Sequence, residues 1–209
     1  VWLMLVYHRG VRRTGLPPDA EGKGVMTDEH ELTEAKQRVL DAAEDLFMEH
    51  GYAAITLRDL AERLDIRQAS LYYHFPDGKE QLYVEMAQRA FQTHGEGMRR
   101  AIAEADDDLR SQLHAVALWF AQHRPINVMG MMYADLPALS RSRSIELAQS
   151  AYKSLFFPLR DAFLAAQGRG EVRDANPEML AGFFLALMDG ITFSQTQPVT
   201  LTREQMAGA

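Results

Sequence analysis

Apolar residues recur at three- and four-residue spacing from Leu32 onward, and no stretch alternates with the period of a strand, so the pattern predicts an all-α chain. A first helix is expected over about 33–50, with Val39, Ala43, Leu46, Phe47 and His50 facing inward and Gly51 just past its end. Thr56 followed by Asp59 has the form of a capping box. After it, Leu57, Leu60, Ala61 and Leu64 share one stripe, and Arg58, Glu62 and Arg63 are left for solvent. The pattern breaks at Asp65-Ile66 and resumes over 68–74, where Gln68, Ser70, Tyr72, Tyr73 and His74 outnumber the anchors Leu71 and Phe75. Asp77 with Glu80 reads as a second capping pair, opening a long helix to about Ala105 with Leu82, Met86, Phe91 and Ile102 inward. Later helices are expected over about 109–123, over 141–167 with a kink at Pro158, and from Asn176-Pro177 onward. The Met-rich stretch 126–139 is broken by Gly130 and Pro137 and predicts a short helix with loops. Residues 1–31 carry no helical period and several Gly and Pro, which predicts a flexible tail. Within it, Arg9, Arg12 and Arg13 offer a basic arm, and Met26 a second start of translation.

Composition narrows the function classes. Cysteine is absent, so disulfides, thiolate metal sites and cysteine nucleophiles are excluded, which fits a cytoplasmic protein. No apolar run reaches the ~20 residues of a membrane-spanning helix. The histidines are not at two-ligand helical spacing, so neither a metal nor another cofactor is assigned. No GxSxG, HExxH, P-loop or GxGxxG arrangement occurs, which argues against an enzyme. Two short helices joined by a tight turn, the second bearing a face of hydrogen-bonding side chains, suit insertion into the major groove. Charge works against simple coating of nucleic acid: the net charge is −7, and residues 32–85 hold six Lys/Arg against eleven Asp/Glu. Positioned groups on one face would have to do the binding.

The stretch with Phe47, Gly51-Tyr52, Thr56, Leu60-Ala61, Leu64, Ser70-Leu71-Tyr72-Tyr73-His74-Phe75 and Gly78-Lys79-Glu80-Gln81-Leu82 resembles the DNA-binding domain of the TetR family of transcriptional regulators. The resemblance implies a three-helix DNA-binding head with a helix-turn-helix over 32–80. It also implies an effector-binding and dimerisation domain over 81–209, behind the tail at 1–31. It implies base contact by Arg58, Gln68 and Ala69 and phosphate contact by Thr56, Tyr72, His74 and Lys79. Ser70 joins them in the recognition helix, and Tyr73 either contacts DNA or packs. For Tyr72 and Tyr73 the alternative is core packing. Three departures stand out: Asp65 where the turn usually has glycine, Arg67 where the recognition helix usually has a serine cap, and an inserted Gly78 before Lys79. Arg67 thereby becomes a DNA contact particular to this chain. The implied partners are a palindromic double-stranded DNA operator, a second copy of the chain and a small-molecule effector, with repression as the outcome. Trp119, Phe120, Met129, Met132, Tyr133, Phe184 and Met188 are the residues expected to line an effector pocket, with packing in the core as the alternative for each. The other readings are a helical protein-interaction module, favoured by the acidic head, and an enzyme acting on the pocket ligand.

Overall fold

The computed structural model describes residues 26–124 and 126–194, and every regular element among them is helical. The chain divides into two compact units, the first ending at Met86 and the second beginning at Ala87, where the sequence had placed the boundary after Glu80. In the first unit α1 spans Met26–Ala54, α2 Leu57–Arg63 and α3 Gln68–His74, followed by the start of α4, which spans Lys79–Glu104. Helix α1 thus begins inside the expected tail, at Met26, and residues 1–25 with the basic arm lie outside the described residues.

Gly51 breaks α1 with φ 78° and ψ 165°, a conformation open to glycine and costly for other residues. The break turns the chain so that Tyr52 packs back on the core, its ring 4.9 Å from Tyr83 and 6.1 Å from Phe47. The core of this unit collects Val39, Leu40, Ala43, Phe47, Leu60, Leu71, Phe75 and Leu82, all buried. His50, expected on the inward stripe, is exposed beside Glu49, and Leu40 takes a place in its stead.

The second unit holds the rest of α4, then α5 (Leu109–Gln122), a chain of short turns over 128–138, α6 (Arg141–Ala151), α7 (Phe157–Gly168) and α8 (Pro177–Ser194). Asp108 caps α5 by accepting from Ser111 N–H at 2.9 Å, and Asn176 caps α8 by accepting from Met179 N–H at 2.9 Å. The single helix expected over 141–167 is two helices joined through a wide π turn at Tyr152–Phe156, just ahead of Pro158. Proline has no N–H for the carbonyl of Ser154 four residues back, and the wide turn accommodates that loss without ending the helix.

Candidate functional site

The helix-turn-helix is built from local rules. Thr56 caps α2: its Oγ1 accepts from Asp59 N–H at 3.2 Å, and Asp59 Oδ2 accepts from Thr56 N–H at 2.7 Å and from its hydroxyl at 2.6 Å. Those bonds from the Thr56 side chain and backbone hold the Asp59 carboxyl below the usual carboxylate range. Asp65 then takes φ 53° in the turn, the left-handed conformation that Asp tolerates better than most residues. Arg67 stands at the N-cap of α3 and makes no side-chain cap.

Helix α3 buries Leu71 alone, and its other side chains except His74 are exposed to face a partner. Gln68, Ala69 and Ser70 are exposed, as are Tyr72 (48 %) and Tyr73 (71 %), which answers the core-packing alternative for both tyrosines. His74 is half-buried between the rings of Tyr73 and Phe75. Arg58 and Arg67 are exposed too, but Arg58 Nε donates to Glu62 Oε1 at 2.8 Å, leaving its outer nitrogens for a ligand.

Thr56, Gln68, Tyr72 and Lys79 line one open cleft of about 490 Å³, together with Asp77 and Gly78. In the expected Asp77–Glu80 pair, the reach back to the Asp77 amide falls to Gln81. Gly78 takes φ 76° and its N–H donates to Phe75 O at 2.8 Å, and Gln81 Oε1, not Glu80, accepts from Asp77 N–H at 2.9 Å. Helix α4 therefore starts at Lys79, whose Nζ sits 4.1 Å from the centre of the Tyr52 ring. An ammonium, a tyrosine hydroxyl and a helix start around one concavity make a site able to take a phosphate. The Thr56 hydroxyl is already given to Asp59, so it would have to exchange partners to join.

The seven expected pocket residues do not share one environment. Trp119 lies flat on α4: a Cβ placed on Gly97 would fall 2.0 Å from its ring. Its Nε1 donates to His94 Nδ1 at 3.3 Å, and its ring stacks on His123 at 3.4 Å. Since indole only donates, a neutral His94 carries its own proton on Nε2. Phe120 is buried against His94, with ring centres 5.1 Å apart. Met129 and Met132, like Phe184 and Met188 on α8, are half-buried, whereas Tyr133 is 79 % exposed. A cleft elsewhere in the second unit is lined by none of the seven.

Sequence reasoning passed over a buried histidine and a half-buried acid there. His94 is 4 % exposed, and its signal was a histidine on the stripe of Phe91 and Met98. Asp189 accepts from Val128 N–H at 3.3 Å and Met129 N–H at 2.7 Å, tying α8 to the start of the turns at 128–138. Burial pushes its carboxyl up to about 6, against the downward pull of those two amides. A lone acid in the run FFLALMDGITF was the available sign.

A short helix with one buried anchor, set after a capped helix and a left-handed turn, defines a helix-turn-helix DNA-binding domain. Residues 39–86 match the family model for bacterial regulatory proteins of the tetR family, and the head is a TetR-family domain. The chain is 41% identical over 56 residues to the biofilm operon icaADBC negative transcriptional regulator IcaR of Staphylococcus epidermidis. That match covers 27% of this chain and 30% of the relative, so it spans less than a third of the relative's length. The TetR family regulator PfmR of Thermus thermophilus superposes with a TM-score of 0.62 at 25% identity, over 81% of this chain and 92% of that one. The fold is also that of AibR, solved with isovaleryl coenzyme A and operator DNA: TM-score 0.68, 20% identity, covering 83% of this chain and 94% of AibR. Among the described residues no helix is long and apolar enough to cross a membrane.

Proposed function

We propose that the chain is a cytoplasmic, dimeric, ligand-responsive regulator of transcription, a repressor that binds a palindromic operator and is released by a small molecule. The observation that carries this reading is the exposed face of α3, Gln68 to Tyr73, held by Leu71 alone beside the cleft of Thr56, Tyr72 and Lys79. Helix α3 enters the major groove, with Gln68 hydrogen-bonding a base edge and Ala69 packing on a thymine methyl. Arg58 offers its outer guanidinium nitrogens to guanine, while Glu62 holds the inner one. Tyr72, His74, Lys79 and Arg67 meet the phosphates and set the register. In a protein of net charge −7 these few cations act individually, so each should be visible in the salt dependence.

The effector acts by preferring the second unit's DNA-free geometry, and lowers DNA affinity by no more than that preference. The function is regulatory and not catalytic, a reading supported by the kinship of the head with transcriptional regulators. The test is a footprint on the DNA flanking its own gene with wild type, Tyr72→Ala and Lys79→Ala. A protected palindrome that both variants lose, with helicity and dimer mass unchanged, is the expected result. Binding to random DNA alone would defeat the regulator reading, and a head that captures protein instead of DNA would favour the interaction module.

A further inference from the structure

In the second unit a cleft of about 440 Å³ opens where the end of α4, the start of α5 and α7 meet. Ile102, Phe157 and Pro158 give it apolar walls, and Arg99, Lys153 and Gln112 are its uncommitted polar groups. Arg99 and Lys153 are exposed, and neither has an ion pair or a hydrogen bond among the described residues. The other charges on its lining are matched: Arg169 with Asp107 at 3.2 Å and with Glu171, and Asp161 with Arg160 at 2.6 Å. The charge left over in the cleft is therefore positive. Gln112 is only 8 % exposed, and its Oε1 is a buried acceptor with no donor. Such an atom carries a penalty that a donor brought to the amide would remove.

We propose that this cleft binds a carboxylate-bearing amphiphile, its apolar body against Phe157 and Pro158, its carboxylate between Arg99 and Lys153, and a hydroxyl or N–H donating to Gln112. A volume of about 440 Å³ lies in the range of small-molecule sites and holds a chain of about ten carbons. The two cations select an acid over its ester, and Gln112 selects a donor-bearing acid over the plain one. The site deepens the reading of the chain as an effector-responsive regulator, and rests on it only for the consequence, release of operator DNA.

Binding is therefore measured on the full chain without DNA, by calorimetric titration with 3-hydroxydecanoate, decanoate, methyl 3-hydroxydecanoate and decyltrimethylammonium. The hydroxy acid should bind about fivefold more tightly than decanoate, and both acids at least about tenfold more tightly than the ester or the ammonium. Arg99→Gln with Lys153→Gln, both exposed and free of structural partners, should abolish the preference for acid over ester. Gln112→Leu should abolish the advantage of the hydroxyl and leave decanoate binding in place; if that variant does not fold, Gln112→Met is read instead. Equal affinity for acid and ester, an unchanged preference in the double variant, or no binding by any of the four overturns the proposal. Binding that obeys the pattern but leaves an operator complex intact would uphold the site and defeat the effector reading.

Discussion

Arg67 sits at the start of the recognition helix with φ −75° and ψ 139°, a capping backbone without a capping side chain. A serine there would accept from a first-turn N–H and add about 1 kcal/mol to stability. If the guanidinium meets a phosphate, the same change removes one released counterion. Arg67→Ser should therefore raise the urea midpoint while weakening operator binding and lowering the slope of log affinity against log salt by about one. Urea melts and anisotropy titrations at several salt concentrations check the two effects separately, and weaker binding without a change of slope would remove Arg67 from the phosphates. The turn and caps around it were legible in the sequence because they obey rules spanning a few residues. Asp65 has the left-handed φ its place required, and Thr56 and Asp59 cap each other as their spacing predicts. The Asp77–Glu80 pair follows the same rule on paper, but the helix starts one residue later, past Gly78. Its φ of 76° delays α4 to Lys79, and Gln81 becomes the residue that reaches back.

At the scale of elements, α2 to α5 begin and end close to where caps and prolines placed them, α8 begins at Pro177 as expected, and α6 and α7 stand where one helix over 141–167 was expected, a difference in kind. Periodicity reports which side of a helix is apolar and says little of its width, so the π turn at Tyr152–Phe156 was not visible beyond the kink expected at Pro158. Its consequence is an approach of backbones: a Cβ on Gly95 would lie 2.5 Å from the carbonyl oxygen of Ser154. Gly95→Ala gains about 1 kcal/mol of helix propensity and loses more to overpacking against a backbone atom that cannot swing aside, typically 1–3 kcal/mol. A net loss of up to about 2 kcal/mol in chemical melts is expected, and a variant as stable as wild type would mean the two helices separate freely there. Asp189 gives these elements a pH dependence. Its folded pKa, about 6, lies above the ordinary 3.8, so the folded state holds this proton more tightly than the unfolded one. Stability from this group is greatest below about 4 and falls as pH rises to about 6, with no further change above. Asp189→Asn keeps an oxygen for the Met129 amide and has no charge to desolvate. It should abolish that fall, by an amount of order 2 kcal/mol, in melts recorded from pH 4 to pH 7. A wild-type minus variant difference that stays flat across this range would contradict the shift.

On the scale of the whole molecule, the open question is what covers α8. Met179, Phe183 and Leu187 recur at four-residue spacing along it and are 52 %, 58 % and 65 % exposed, with Leu164 of α7 at 48 %. One contiguous helical face of large apolar side chains is unusual on the surface of a monomer. The exposed residues emerge only once the buried set, Ala181 and Leu185 on α8 and Phe163 on α7, is known. A two-fold pairing of α7 and α8 with their copies would bury this face as a four-helix interface. It would also present two recognition helices to one palindrome, so dimerisation and operator affinity should fall together. Phe183→Glu with Leu187→Glu places charges where burial would be required, at positions that do not support the fold of a single chain. Sedimentation equilibrium should shift from the dimer mass to the monomer mass with the helical circular dichroism unchanged. Affinity for the full palindrome should fall to that for an isolated half-site, since the second contact is no longer intramolecular. A variant that remains dimeric would assign the face to another occupant. One that becomes monomeric yet binds the palindrome at wild-type strength would separate dimerisation from recognition, and the two-headed reading of the operator would have to be given up.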